Sequence, residues 1–111
     1  MDIFRKALRI LMLACAVMHI CSCQSKPIKA LVVSGQNNHN WQVSHKVLKQ
    51  ILDNSGLFVT DIALTAPAGG DMSTFKPDFS QYDVVVLDYN GDRWPAETDS
   101  AFVKYVRKGG G

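Results

Sequence analysis

Two polar stretches hold the side chains of this 111-residue sequence that could do chemistry: Ser34-Gly35-Gln36-Asn37-Asn38-His39-Asn40-Trp41 and Asp88-Tyr89-Asn90-Gly91-Asp92-Arg93-Trp94. Together they offer carboxamides, a histidine, carboxylates and two tryptophans. Such a set suits a hydroxyl-rich ligand, which needs hydrogen bonds at its edges and an apolar face to stack on. His39 is the candidate general acid or base. Each residue also has a plainer role open to it. Asn37, Asn38 and Asn40 serve equally as turn formers or caps, Gly35 and Gly91 as turn glycines, and Trp41 and Trp94 as staples packed on their helices. His45 reads as a surface residue of the intervening helix. Asp88 and Asp92 could meet a metal with His39, but no recognised ligand spacing supports it, and the reading assigns neither metal nor cofactor.

The elements that must position these loops alternate between strand and helix. Ile28 to Val33 is a short run of branched apolar residues closed by Ser34-Gly35, the pattern of a strand covered on both faces. Val43, Val47, Leu48, Ile51 and Leu52 recur at helical spacing, predicting a helix from about Trp41 to Asn54 with Gly56 as its C-terminal stop. Leu57 to Leu64 reads as a second strand, and Thr60 and Asp61 place it towards a sheet edge. Residues 65 to 80, with Pro67, Gly69, Gly70 and Pro77, read as loop. Tyr82 to Tyr89 contains the third strand, Val84-Val85-Val86-Leu87, again read as covered on both faces. A second helix is expected over Pro95 to Lys108, with Phe102, Val103 and Val106 as its apolar stripe and Gly109 closing it.

This order predicts a mostly parallel α/β sheet with right-handed crossovers. In such sheets ligands bind beyond the carboxyl ends of the strands, where strand order reverses. Strands one and three would flank that point, which brings the two polar stretches together. Three strands with two helices make a small core, and a further strand is expected after Gly109-Gly110-Gly111, so residues 28–111 read as the N-terminal part of a larger domain.

The first residues read differently. Arg5, Lys6 and Arg9 precede an apolar run, Ile10 to Ile20, that is short for a membrane-spanning helix, which needs about 20 apolar residues. The run ends in Ile20-Cys21-Ser22-Cys23, which resembles a bacterial lipobox. Residues 1–22 are therefore expected to be a removable lipoprotein signal, Cys23 the lipid-bearing residue, and 23–27 a short tether. That predicts an exported, envelope-located protein anchored to the membrane at Cys23, on the outer membrane with the domain on the periplasmic or surface side.

The chain carries 12 Lys and Arg against 10 Asp and Glu. Removing Arg5, Lys6, Arg9 and Asp2 with the signal leaves the charges balanced, so no basic surface for nucleic acid is expected. All three cysteines, Cys15, Cys21 and Cys23, lie at or before the acylation site, which excludes a disulfide, a zinc-thiolate site or a cysteine nucleophile within the rest of these residues.

The combination carries a family resemblance. Ala30-Leu31-Val32-Val33-Ser34-Gly35-Gln36-Asn37-Asn38-His39-Asn40-Trp41 resembles the opening of the ThuA-like (trehalose utilisation) domains, in which a strand ends in a glycine and a histidine-bearing loop. Phe79 to Gly91 and Phe102 to Gly111 are similar to the next two blocks of that family. The resemblance implies a glutamine-amidotransferase-like, flavodoxin-type three-layer fold and a part in sugar utilisation. In class I amidotransferases the catalytic cysteine sits on an elbow that would follow the triple glycine. Flavodoxins would need a Ser/Thr-rich phosphate loop after strand one, and response regulators paired acids there, and this sequence has neither.

The site expected from these readings comprises His39 as candidate catalytic residue and Gly35, Asn38, His39, Trp41, Asn90, Gly91 and Asp92 as ligand-binding residues. Its ligand would be a sugar or a sugar-derived small molecule. Two functions fit: an exported ThuA-like domain acting in carbohydrate metabolism, with catalysis itself left open, or a non-catalytic carbohydrate-binding module on a lipid anchor, with Trp41 and Trp94 stacking on sugar.

Overall fold

The computed structural model describes residues 25–111; the expected signal, the acylation site at Cys23 and the start of the tether lie outside the described residues. The fold is α/β. It comprises strand β1 (Ile28–Ser34), helix α1 (Trp41–Asn54), strand β2 (Phe58–Leu64), a 3₁₀ turn (Phe79–Gln81), strand β3 (Val84–Leu87) and helix α2 (Ala96–Arg107). The sheet order is β2-β1-β3, with both pairings parallel. That order is the flavodoxin-type arrangement expected, with β1 at the centre and β2 at the edge.

Composition explains the position of β1. Ala30, Leu31, Val32 and Val33 are all essentially buried, and burial of each larger side chain contributes roughly 1.5–3 kcal/mol. Alternation sends them to opposite faces. Leu31 and Val33 pack into an aromatic cluster with Phe75, Phe79 and Tyr105, joined at its margin by Tyr89, Trp94 and Phe102. This layer includes α2 and the 3₁₀ turn, while α1 lies against β1 and β2. The outer edge of β3 is paired at its start: Gly111 accepts a hydrogen bond from the Val85 amide (2.8 Å) and donates one to the Asp83 carbonyl (3.1 Å). These two bonds bracket Val84 in the pattern of a parallel ladder.

Several expectations about faces need correction. In α1 the residues turned inward are Trp41, Ser44, His45, Leu48 and Leu52, whereas Val43, Val47 and Ile51 are exposed. His45, read as a surface residue, is buried, with its Nδ1 hydrogen-bonded to the Trp41 carbonyl one turn earlier. In α2, Thr98 and Tyr105 are buried and Phe102 is half-buried, while Val103 and Val106 are exposed. Pro95 stands at the N-cap, one position before the helix. The third strand is the expected Val84–Leu87, but it is half-buried rather than covered on both faces, and Leu87 is exposed. The loop over residues 65–80 is not merely a connection, because it supplies Phe75 and Phe79 to the core, and the Phe75 carbonyl accepts a buried hydrogen bond from the Thr98 hydroxyl (2.7 Å).

Candidate functional site

The carboxyl ends of β1 and β3 meet as expected, and the group they converge on is Asp88. Its side chain is 6% exposed. The Ser34 hydroxyl at the end of β1 donates to Asp88 Oδ2 at 3.0 Å, and the Ser44 hydroxyl in the first turn of α1 donates to the same oxygen at 2.7 Å. Asp88 Oδ1 faces His39, whose Nε2 stands 3.1 Å away. Three elements thus supply partners to one buried carboxylate, as a charge removed from water requires. The His39 side chain is 48% exposed, so the imidazole is held from beneath and open above.

This arrangement suits proton transfer better than nucleophilic attack. A half-exposed imidazole backed by a buried carboxylate is the pairing that orients a general base. Among the described residues no hydrogen bond joins Ser34 or Ser44 to His39, so neither serine is set up as a histidine-activated nucleophile. Among the same residues, no group of three or more His, Cys, Asp or Glu side chains comes together in a form that could hold a metal ion.

The loops around this pair are tied together by Gln36, which is 6% exposed. Its Nε2 donates to the Ala66 carbonyl after β2 (2.8 Å), its Oε1 accepts from the Asp92 amide (2.8 Å), and its own carbonyl accepts from the Asn90 amide (2.9 Å). One side chain therefore fastens the segments after all three strands. Gly35 makes this possible. Its φ of +123° disfavours any L side chain, and a Cβ there would stand 2.6 Å from the Thr65 amide nitrogen.

The structure distributes the other expected residues unevenly. Asn38, Asn90 and Gly91 are exposed in the loops, where a ligand could reach them. The Asn37 side chain accepts from the Asn38 amide (2.8 Å) and so acts in the turn, whereas Asn40 precedes α1 without a side-chain cap bond. Asp92 is committed to structure, since its Oδ2 accepts from the Gly69 amide at 2.6 Å. Trp41 is half-buried, with its ring centroid 5.9 Å from that of His45.

Trp94 does not serve as an open stacking surface. Its ring lies against Phe75, Phe79, Tyr89 and Phe102, at centroid distances of 5.5 to 6.1 Å. It belongs with the staple reading, packed into the aromatic layer that also holds Leu31 and Val33. Burial raises the pKa of the neighbouring Tyr89 hydroxyl above its ordinary value. A cavity of about 760 Å³ lies elsewhere, between the 3₁₀ turn and the C-terminal half of α2, with Asp83 at the start of β3 in its wall. It sits at the amino end of β3, whereas the His39–Asp88 pair sits beyond the carboxyl end.

The sequence brought His39 and Asp88 together only as conceivable metal ligands, not as a direct pair, and it did not reveal Gln36, Ser34 and Ser44 as organisers. The usable signal was the placement of Ser34 and Asp88 at the ends of two adjacent parallel strands, which makes them neighbours.

Fold and site together define a parallel α/β chain of flavodoxin type with its polar groups gathered at the carboxyl edge of the sheet. No protein-family model and no curated protein matches the chain. Among solved structures it is similar to a protein of Parabacteroides merdae described as ThuA-like, at 63% sequence identity and a TM-score of 0.76, the match covering 78% of this chain and 31% of that one. The likeness supports placing the chain with the ThuA-like family, and the chain spans about a third of that protein's length.

Proposed function

We propose that the chain is part of an exported, lipid-anchored domain of the ThuA-like family that acts on a sugar or a sugar derivative, with His39 as its proton-transfer residue. The observation that carries the catalytic part is the 3.1 Å approach of His39 Nε2 to the buried Asp88 carboxylate. A buried carboxylate behind a solvent-facing imidazole is the arrangement that orients a general acid or base. The non-catalytic alternative is weakened at one of its two stacking rings, because Trp94 is half-buried and packed against Phe75, Phe79, Tyr89 and Phe102. Family likeness supports a link to sugar utilisation, and the lipobox-like Ile20-Cys21-Ser22-Cys23 supports export and anchoring at Cys23. Exposed Asn38 and Asn90 would bond ligand hydroxyls, and the exposed part of Trp41 would offer an apolar face.

The test is calorimetric titration of a panel of sugars and disaccharides, trehalose included, into the full chain carrying Cys23→Ser, alongside the same chain with His39→Ala. Reaction mixtures are followed by NMR for new products. The proposal expects saturable binding by the parent chain and loss of any turnover in the His39→Ala chain. Failure of every sugar to bind would remove the carbohydrate reading, and turnover undiminished by His39→Ala would remove His39 from the chemistry.

A further inference from the structure

The two oxygens of Asp88 are not equivalent. Oδ2 is taken by two hydroxyl donors, Ser34 and Ser44, while Oδ1 carries no hydrogen bond from either and faces the imidazole. Both hydroxyls come from backbone that is well anchored: Ser34 closes the central strand and is fully buried, and Ser44 lies in the first turn of α1. A carboxylate gripped through one oxygen in this way cannot rotate freely, so the direction of its other oxygen is set. Facing that oxygen at 3.1 Å, an unprotonated Nε2 would oppose lone pair to lone pair, whereas a protonated one is attracted.

We propose that Ser34 and Ser44 are positioning residues which, by occupying Oδ2 of Asp88, commit Oδ1 to His39 and hold the neutral imidazole as the tautomer protonated on Nε2, leaving Nδ1 as the basic atom offered to ligand. This rests on the proton-transfer reading of the site given above. In the step it serves, the O–H bond of a ligand hydroxyl breaks, the proton moves to the Nδ1 lone pair, and the bonding electrons stay on oxygen. The resulting imidazolium then lies against the Asp88 carboxylate, which stabilises it without accepting the proton. Asp88 and both serines act through His39 and need not touch the ligand.

The inference can be tested without any ligand, so its outcome is independent of the sugar titrations. In the full chain with uniform ¹⁵N labelling, long-range ¹H–¹⁵N correlation at alkaline pH reports which nitrogen of His39 carries the proton, and exchange measurements report how fast that proton is lost to water. The expected result is protonation on Nε2, with exchange slowed by Asp88. Ser44→Ala should speed exchange by about fivefold, the effect of losing one ordinary hydrogen bond. Ser44→Thr, which keeps the hydroxyl, should restore it, and Asp88→Asn should exchange faster than either. Amide spectra of each variant confirm that it is folded, and Ser34→Ala provides a second test should Ser44→Ala fail to fold. A His39 protonated mainly on Nδ1, or exchange that none of these substitutions changes, would overturn the proposal.

Discussion

Gly91 lies so close over Gln36 that a Cβ on it would stand 2.8 Å from the Gln36 side-chain Cδ and nearer still to its Cβ and Oε1. The loop after β3 can settle on the loop after β1 only because this position carries no side chain. Gly91→Ala is therefore expected to push the two loops apart and break the bond from the Asp92 amide to Gln36. Overpacking of this kind costs roughly 1–3 kcal/mol. Urea denaturation followed by circular dichroism would measure the loss, and an unchanged midpoint would contradict the close approach.

Gly35→Ala should be more damaging than Gly91→Ala. The obstacle at Gly35 is backbone: a Cβ would stand 2.6 Å from the Thr65 nitrogen and 2.9 Å from its carbonyl oxygen, at a φ of +123°. A side chain can turn aside, whereas the Thr65 amide is already bonded to the Ser34 carbonyl at 2.9 Å. The expected loss is on the order of 3 kcal/mol, combining overpacking with backbone strain. Comparing the denaturation midpoints of the two alanine variants checks the ranking.

Trp94 and Trp41 should separate stability from binding. Trp94→Ala removes the ring that touches four other aromatic side chains, and truncating a large core aromatic costs about 3–5 kcal/mol. Trp94→Phe should retain most of that packing and leave any sugar affinity unchanged. Trp41→Ala is expected to weaken sugar binding more than it lowers the thermal midpoint. Calorimetry and thermal melts on the same samples distinguish the two patterns.

Stability should fall in acid, with Asp53 contributing to the slope. Hydrogen bonds from Lys49, first, and from Thr60 hold this carboxyl below its ordinary value of 3.8. The unfolded chain therefore binds the proton more tightly than the folded one. The stabilisation is present above the unfolded value and is lost as pH falls through the lower, folded value. Asp71 and Asp78, bonded first to Ser73 and Ser80 respectively, are shifted in the same direction. Urea midpoints measured between about pH 6 and pH 3 should decline, and Asp53→Asn should make the chain less stable at the upper end while flattening the decline. A slope unaltered by Asp53→Asn would mean that the bonds to Lys49 and Thr60 do not persist in solution.

Much of the frame was legible because strongly apolar or strongly periodic segments leave few choices. Ile28 to Val33 could be little else than a central strand, and the polar residues of β2 marked it as an edge. Periodicity shows which residues of a helix share a face but not which side of that face meets the sheet. Val43, Val47 and Ile51 thus read as core, while the helix in fact turns Trp41, Ser44 and His45 inward. Trp94 looked open because its neighbours in sequence are polar, yet its packing partners Phe75 and Phe79 come from the loop between β2 and β3, which has no period to reveal them. Gln36 was invisible as an organiser for a related reason. Its value lies in reaching Ala66 and Asp92, a property of two other loops rather than of its own surroundings.

The shared hold on Asp88 also has a bearing on how the molecule comes into being. Ser34 and Asp88 are separated by 54 residues, and Ser44 and Asp88 by 44, so neither bond can form from local structure alone. Contacts of such separation have their loop-closure entropy to overcome first, which makes them late and slow relative to helix formation. During refolding the α1 helix should gain its backbone bonds well before His39 acquires its carboxylate partner. A chain caught with β3 undocked would be helical and partly collapsed, yet would have no Asp88 behind the histidine, so competence at this site would be among the last properties the protein acquires.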